Sequence, residues 1–266
     1  MHEFFSRFIE VISDPINKKI KRSVNVGKIE SDYIYMHNNV KVYKNSYYGN
    51  FSDILILNDG VHEPQEEYAF SVVLEKIKKT NPVMLELGCY WAFYSLSLLE
   101  KIPGSKCFLV EPGDSEIESG ISNFSLNSRK GTFIKGTIGN TGITVDNFLI
   151  ENSISTLDIL HSDIQGYELE MLHGAKNHLV EKKIDYIFIS THSNDLHDQC
   201  INFLKEVDYH IISSVNLDET YCCDGIIVAQ NKNLEILHLD LGRKDRQTLI
   251  SDLELSKIFT SKGINL

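Results

Sequence analysis

The apolar positions change period along the chain. Phe4, Phe5, Phe8, Ile9, Val11 and Ile12 recur at helical spacing until Asp14-Pro15 breaks the pattern, and Lys18, Lys19, Lys21 and Arg22 follow. This predicts one or two short amphipathic helices that pack on the rest of the chain or on a second copy. A membrane-surface helix is the alternative, because the segment is both aromatic and basic. Two strand-like runs, Tyr33 to Met36 and Val40 to Tyr43, flank His37-Asn38-Asn39 and predict a β-hairpin. Residues 1–60 are therefore expected to form a helical and hairpin extension.

From Asn81 onward, short apolar runs alternate with helical stretches. Residues 83–87, 106–110, 132–134, 157–160, 184–189 and 225–229 read as strands, with helices around 93–100, 115–127, 166–180 and 195–206. Parallel neighbours need a crossover, and the crossover helix covers a face of the sheet. The expectation is an α/β domain over 61–266: a mostly parallel, Rossmann-like sheet with helices on both faces. Just before it, His62-Glu63-Pro64-Gln65-Glu66-Glu67 opens an apolar helical run with three carboxylates, which a helix N-terminus favours electrostatically. The alternative is that Glu63, Gln65 or Glu66 closes over a ligand.

Composition narrows the partners. With 26 basic and 37 acidic residues the net charge is −11, a field that repels nucleic-acid backbones, so nucleic acid is not an expected partner. The five cysteines are odd in number and show no C-x-x-C spacing, which reads as a reducing compartment. Met1 to Arg7 does not have the basic start of a signal peptide, and no run of about 18 apolar residues is present. A cytoplasmic protein without an integral membrane segment is expected.

Two segments carry chemistry. Glu86-Leu87-Gly88-Cys89-Tyr90-Trp91-Ala92-Phe93-Tyr94-Ser95 joins a strand to a helix, where a glycine lets the backbone turn sharply and the helix start offers free N–H groups. The next strand ends in Glu111-Pro112, an acidic residue placed to accept hydrogen bonds from ribose hydroxyls. Together they point to an adenosine-containing cofactor. The second segment runs from Leu157 through His161, Asp163 and Gly166 into a helix with Leu169 and Leu172 facing inward.

The arrangement of Asp163, Gly166, Glu168, Leu169, Glu170, Leu172, Gly174 and Ala175 resembles the signature of the FkbM family of S-adenosylmethionine-dependent methyltransferases. Glu111-Pro112, Asn123, Asn127 and Thr144-Val145-Asp146 agree with the same family. Ala92 departs from it where the first loop has a second glycine, and Gln165 departs where a glutamate is usual. The resemblance implies a seven-stranded class I methyltransferase sheet. Glu86 and Gly88 would lie by the methionine and ribose portion of the cofactor, with Tyr90 in the same loop. Glu111 would hold the ribose diol, Gly136 and Thr137 would lie near the adenine, and Asp163 would face the methionine ammonium or the acceptor. Tyr94 or Ser95 would reach the cofactor carboxylate.

An alcohol acceptor has to lose a proton during methyl transfer, and an imidazole suits that task near neutral pH. His192 ends the fifth strand, at the edge where acceptor chemistry is expected, and is the first candidate base; capping of the next helix is the structural alternative. His161 and Asp163 flank Ser162 on one strand and point to the same side. Whether Asp163, His192 and His197 gather a metal is left open, and Tyr221 is a candidate acceptor contact. The expected activity is O-methylation of a small polar acceptor, a sugar or nucleotide-linked precursor of a surface polysaccharide. N-methylation, a dinucleotide-binding oxidoreductase and a noncatalytic binding module are the alternatives, and a homodimer stays open.

Overall fold

The computed structural model describes residues 2–47, 49–139 and 141–264, and the side chains of all of these except His2, Glu3, Phe4 and Asn50. Phe4 of the expected apolar helix face therefore lies outside the described side chains. Helix α1 (His2–Ser13) ends at Asp14, whose carboxylate accepts the Ile16 N–H and starts a short 3-10 turn at Pro15. A three-stranded antiparallel unit follows: β1 (Ile29–Glu30), β2 (Tyr33–Tyr35) and β3 (Lys41–Tyr43), with the turn at His37-Asn38-Asn39 between the last two. Helices α2 (Ile54–Leu57) and α3 (Pro64–Lys76) lead into the central sheet.

That sheet consists of β4 (Val83–Leu87), β5 (Lys106–Glu111), β6 (Thr132–Lys135), β7 (Leu157–Ser162), β8 (Ile184–Thr191), β9 (Tyr209–Val215) and β10 (Gly225–Asn231). Their order is β6-β5-β4-β7-β8-β10-β9, parallel except that β10 runs antiparallel to both neighbours. Six strands lie where the apolar runs predict them. β9 is the addition: its Tyr-His-Ile-Ile-Ser-Ser-Val sequence lacks an apolar run, and its pairing with β10 is interrupted at Val228/Ala229.

The crossovers are α4 (Phe93–Lys101), α5 (Asp114–Leu126), α6 (Val145–Glu151), α7 (Glu168–Gly174), α8 (Lys176–Val180) and α9 (Asn194–Glu206), and α10 (Asp252–Ser261) ends the fold. The helix expected over 166–180 is two, divided at Ala175. Asp146 of α6 accepts the N–H groups of Asn177 and His178 at 2.9 and 3.0 Å, which satisfies the start of α8.

Alternation along each strand sorts the sheet into two faces. Leu85, Leu87, Leu160, Ile187 and Ile227 join one core cluster with Met171, Leu172 and Leu204. Met84, Ile159, Phe188 and Val228 join the other, which also takes in Phe70, Leu96, Phe8, Ile34 and Val42. Phe8 and Val11 of α1 are fully buried, and Phe8 meets the Phe259 ring of α10 edge-on at 5.5 Å. Phe8 and Val11 of the α1 apolar face are thus covered from within the chain.

Two asparagines one turn apart, Asn123 on α5 and Asn127 capping its end, receive the hairpin. Asn123 accepts the Tyr43 N–H at 3.0 Å and donates to the Trp91 carbonyl, while Asn127 accepts the Lys41 N–H and donates back to the Lys41 carbonyl. Their amides stand in for a fourth strand at the free edge of β3.

Candidate active site

Strand order reverses between β4 and β7, and an open α/β sheet has its crevice beyond the carboxyl ends of the strands at such a point. A cavity of about 680 Å³ lies there, lined by Glu86, Gly88, Tyr90, Glu111, Gly136, Thr137, His161 and Asp163. Its far end is closed by Tyr47, His62, Glu63, Trp91 and Tyr94. The volume is that of a site for a nucleoside-sized ligand.

Strand parity explains the convergence. Met84 and Glu86 share a face of β4, Ile159 and His161 a face of β7, and register pairs Glu86 directly with His161. Both look toward α3. The turn after β4 is tight: Gly88 has φ +71°, and a Cβ there would sit 1.8 Å from the Asp163 carbonyl oxygen. Ala92 also has a left-handed backbone, φ +62°, the conformation in which the resemblance places a glycine.

Each carboxylate is held by backbone. Glu86 Oε2 accepts the Ser95 N–H at 3.0 Å. Glu111 accepts the N–H groups of Tyr90 and Gly113, both at 3.0 Å. Burial pushes both carboxyl groups above their usual range, against those hydrogen bonds. Ser95 itself is fully buried and lies behind Glu86, so it steadies the carboxylate and does not line the cavity.

His192 is likewise behind the wall. Its Nδ1 is 3.0 Å from Glu168 Oε1, and its Nε2 lies 3.2 Å from Asp163 and 3.5 Å from Asp224 without hydrogen-bond alignment. Burial opposes the imidazolium, but Asp163 and Glu168 outweigh it and lift the pKa to about 10. The first candidate base thus stands among three carboxylates and is not among the residues that line the cavity. Glu168 Oε1 also accepts the N–H groups of Ile164 and Gly166, so this one buried carboxylate orders the turn that carries Asp163.

His161 is placed differently. Its Nε2 is 2.9 Å from Glu66 Oε1, and Glu66 Oε2 accepts the Ser190 hydroxyl at 3.1 Å. The other nitrogen, Nδ1, is buried and has no hydrogen-bond partner in the protein. Burial works against the His161 imidazolium, yet the bond to Glu66 prevails and its pKa is raised. The Tyr94 ring lies over the imidazole at a centroid distance of 4.2 Å.

The acidic start of α3 therefore does more than complement a helix end. Glu63 lines the cavity and accepts from the Tyr94 hydroxyl at 3.1 Å, Glu66 holds His161, and Glu67 bridges His62 and His37 at 2.7 and 2.9 Å. Gln65 turns away to hold Thr220 and the Leu241 carbonyl. Tyr221 is buried with its hydroxyl on Thr248, so it is a core residue and not an acceptor contact. His197 is engaged at both nitrogens by Thr191 and Ser214, away from Asp163. Among the described residues no cluster of three or more His, Cys, Asp or Glu side chains is arranged to hold a metal.

A profile of the methyltransferase FkbM domain matches residues 47–211, more than half of the chain and all of the cavity's main walls. The chain belongs to the FkbM methyltransferase family. Among curated proteins there is no match. Of solved structures, the METTL16 methyltransferase domain is similar in fold, with 14% identity, TM-score 0.50, and 82% of this chain and 88% of that chain covered. Precorrin-6y C5,15-methyltransferase from Geobacter metallireducens aligns with 15% identity and TM-score 0.45, over 62% of this chain and 87% of its own. M. capricolum TrmK in complex with S-adenosyl-homocysteine aligns with 15% identity and TM-score 0.43, over 65% and 71%.

As a member of that family the FkbM domain described here is an S-adenosylmethionine-dependent methyltransferase with a class I Rossmann-like sheet. The oxidoreductase and noncatalytic readings give way to it. The cavity suits the cofactor chemically, since its walls bring Glu86, Glu111 and Asp163 to a ligand that carries a sulfonium, an ammonium and a ribose diol. Each of these carboxylate oxygens can accept more than one hydrogen bond, so the backbone N–H groups on Glu111 leave it able to take hydroxyls. Among the described residues no helix is long and apolar enough to cross a membrane.

Proposed function

We propose that this methyltransferase acts on a hydroxyl oxygen of a small polar acceptor of the sugar type, with His161 as the general base. The bound cofactor supplies an electrophilic methyl group on a positively charged sulfur. Glu86, Gly88, Tyr90, Glu111, Gly136, Thr137 and Asp163 are the residues proposed to hold it, because all of them line the one cavity at the switch point. In-line approach of the acceptor oxygen is a matter of positioning. Residues 1–60 serve as the cap, which is supported by Tyr47 on the cavity wall and by the docking of the hairpin on α5.

The observation that carries the reading is the asymmetry of His161. Glu66 at 2.9 Å favours the proton on Nε2, and Nδ1 is without a partner in a residue that lines the cavity. A base held by a carboxylate in this way is oriented and has its imidazolium stabilised once the proton arrives. The resemblance to FkbM enzymes favours a glycan precursor as acceptor, and the aromatic and carboxylate lining is consistent with hydroxyl groups.

The test is methyl transfer from labelled S-adenosylmethionine by His161→Gln beside the unaltered protein, with S-adenosylhomocysteine affinity measured in parallel. Turnover is expected to fall by about 10²-fold or more while affinity stays within threefold. A variant with the unaltered rate would remove His161 from the mechanism, and loss of affinity alone would make it a cofactor contact.

A further inference from the structure

We propose that the far end of the cavity, formed by Tyr47, His62, Glu63, Trp91 and Tyr94, selects an uncharged polyhydroxylated ring and rejects the same ring carrying a phosphate. This rests on the methyltransferase reading above and narrows its acceptor. Of the acceptors expected from the sequence it retains the free sugar or glycoside and sets aside the nucleotide-linked form.

The charge distribution is the first support. Among the described residues lining the cavity there is no lysine or arginine, while Glu63, Glu86, Glu111, Glu116 and Asp163 contribute five carboxylates. Among the described residues the cations near the far end each have a carboxylate beside them. The His62 imidazole lies between Glu67, 2.7 Å from Nδ1, and Glu63, 3.3 Å from Nε2, and His161 is held by Glu66. Arg7 of α1 spends its guanidinium on the Tyr47 hydroxyl and the Cys223 sulfur, with Glu63 at 3.7 Å. A phosphate entering here meets no free positive group and faces Glu63, so repulsion comes with no compensating contact.

The second support is shape and hydrogen bonding. The rings of Tyr47, His62 and Trp91 pack on one another, Trp91 4.9 Å from Tyr47 and 4.8 Å from His62, centroid to centroid, and the surface they leave to the cavity forms an apolar wall at its far end. A pyranose has an apolar face that packs on such a wall, while its hydroxyls donate to carboxylates. The buried, unpartnered Nδ1 of His161 belongs to the same cavity and marks where one of those hydroxyls would be accepted.

Protein saturated with S-adenosylhomocysteine is titrated with methyl glycosides of common hexoses and 6-deoxyhexoses, the corresponding sugar 1-phosphates and the uridine diphosphate conjugates. At least one neutral glycoside is expected to bind, with its phosphate and its nucleotide conjugate at least tenfold weaker. Glu63→Gln is expected to narrow that ratio to within threefold, with unchanged S-adenosylhomocysteine affinity as the control for folding. Failure of S-adenosylhomocysteine itself to bind would overturn the cofactor reading on which this rests. If it binds, equal or tighter binding of the phosphorylated members, or no binding of any neutral member, overturns the acceptor assignment alone.

Discussion

Two histidines at the carboxyl edge of one sheet sit among carboxylates that outweigh burial and raise the pKa of both. His192 faces three, Asp163, Glu168 and Asp224, and carries a proton through neutral pH with a pKa near 10. His161 bonds Glu66, with Glu86 and Asp163 also favouring its charged form, and, unlike His192, it lines the cavity and keeps Nδ1 unpartnered. Replacing His192 by Gln leaves buried Glu168 without its counterion, a change that costs about 3 kcal/mol when one partner of a buried pair is removed. The expected outcome of His192→Gln is a lower denaturant midpoint and an unchanged acidic limb in the rate profile. For His161 the base form is the active one, so the rate rises with pH through a pKa above the ordinary 6.5. Glu66→Gln removes the charge that favours the imidazolium, and the rise is expected to move to lower pH. Profiles of kcat/KM for both variants check this pair of outcomes; a shift caused by His192→Gln and none by Glu66→Gln would reverse the assignment.

At the scale of elements, the contact between hairpin and α5 rests on polar side chains that replace strand pairing. Asn123 is fully buried, and Asn123→Ala leaves the Tyr43 N–H and the Trp91 carbonyl without partners. Each such orphan costs about 1–3 kcal/mol, so chemical denaturation of Asn123→Ala is expected to show a loss of at least about 2 kcal/mol. A loss under 0.5 kcal/mol, on the scale of ordinary surface substitutions, would show that the hairpin is held by packing alone. How far the sequence speaks for each element follows the same physics. Strands buried on both faces, such as Gly225–Asn231 with its Ile-Ile-Val-Ala, are written as apolar runs and are legible. β9 is an edge strand that pairs through one side only, so its Ser213 and Ser214 are tolerated and its pattern is faint. Within the site, glycines and strand-ending acids could be read because backbone geometry demands them. Ser95 and His192 could not be separated from true lining residues, since parity gives the face a side chain takes and not which neighbour stands in front of it. The role of Glu66 depends on a contact across 95 positions, though three carboxylates at one helix start were its trace.

Over the whole molecule, buried charge is concentrated on the α3 side of the sheet, and this sets a pH dependence of folding. His62 and His192 both have pKa values raised to about 10 in the fold, in each case because carboxylates outweigh burial. A group whose folded pKa is raised stabilises the fold fully below its unfolded pKa, about 6.5, and that contribution disappears as pH climbs through the folded value. On two acids burial itself raises the pKa: Asp14 is lifted to about 7 and Asp224 to about 6, so each costs stability once pH exceeds the unfolded value near 4. Glu63 and Glu67 run opposite. Their pKa values are lowered because the His62 charge overcomes burial, and their contribution is lost only as pH falls below the ordinary carboxylate range. Between pH 6.5 and 10 the folded chain therefore holds more protons than the unfolded one, and stability must fall as pH rises. Each extra proton gives a slope of about 1.4 kcal/mol per pH unit. Urea unfolding at pH 6.5, 8 and 9.5 is expected to show a steadily declining midpoint with unchanged m-value, and His62→Gln is expected to flatten the decline. A midpoint that holds level or rises over this range would mean that the buried histidines of the α3 face are neutral, and with them the charge balance that keeps phosphate out of the cavity would have to be redrawn.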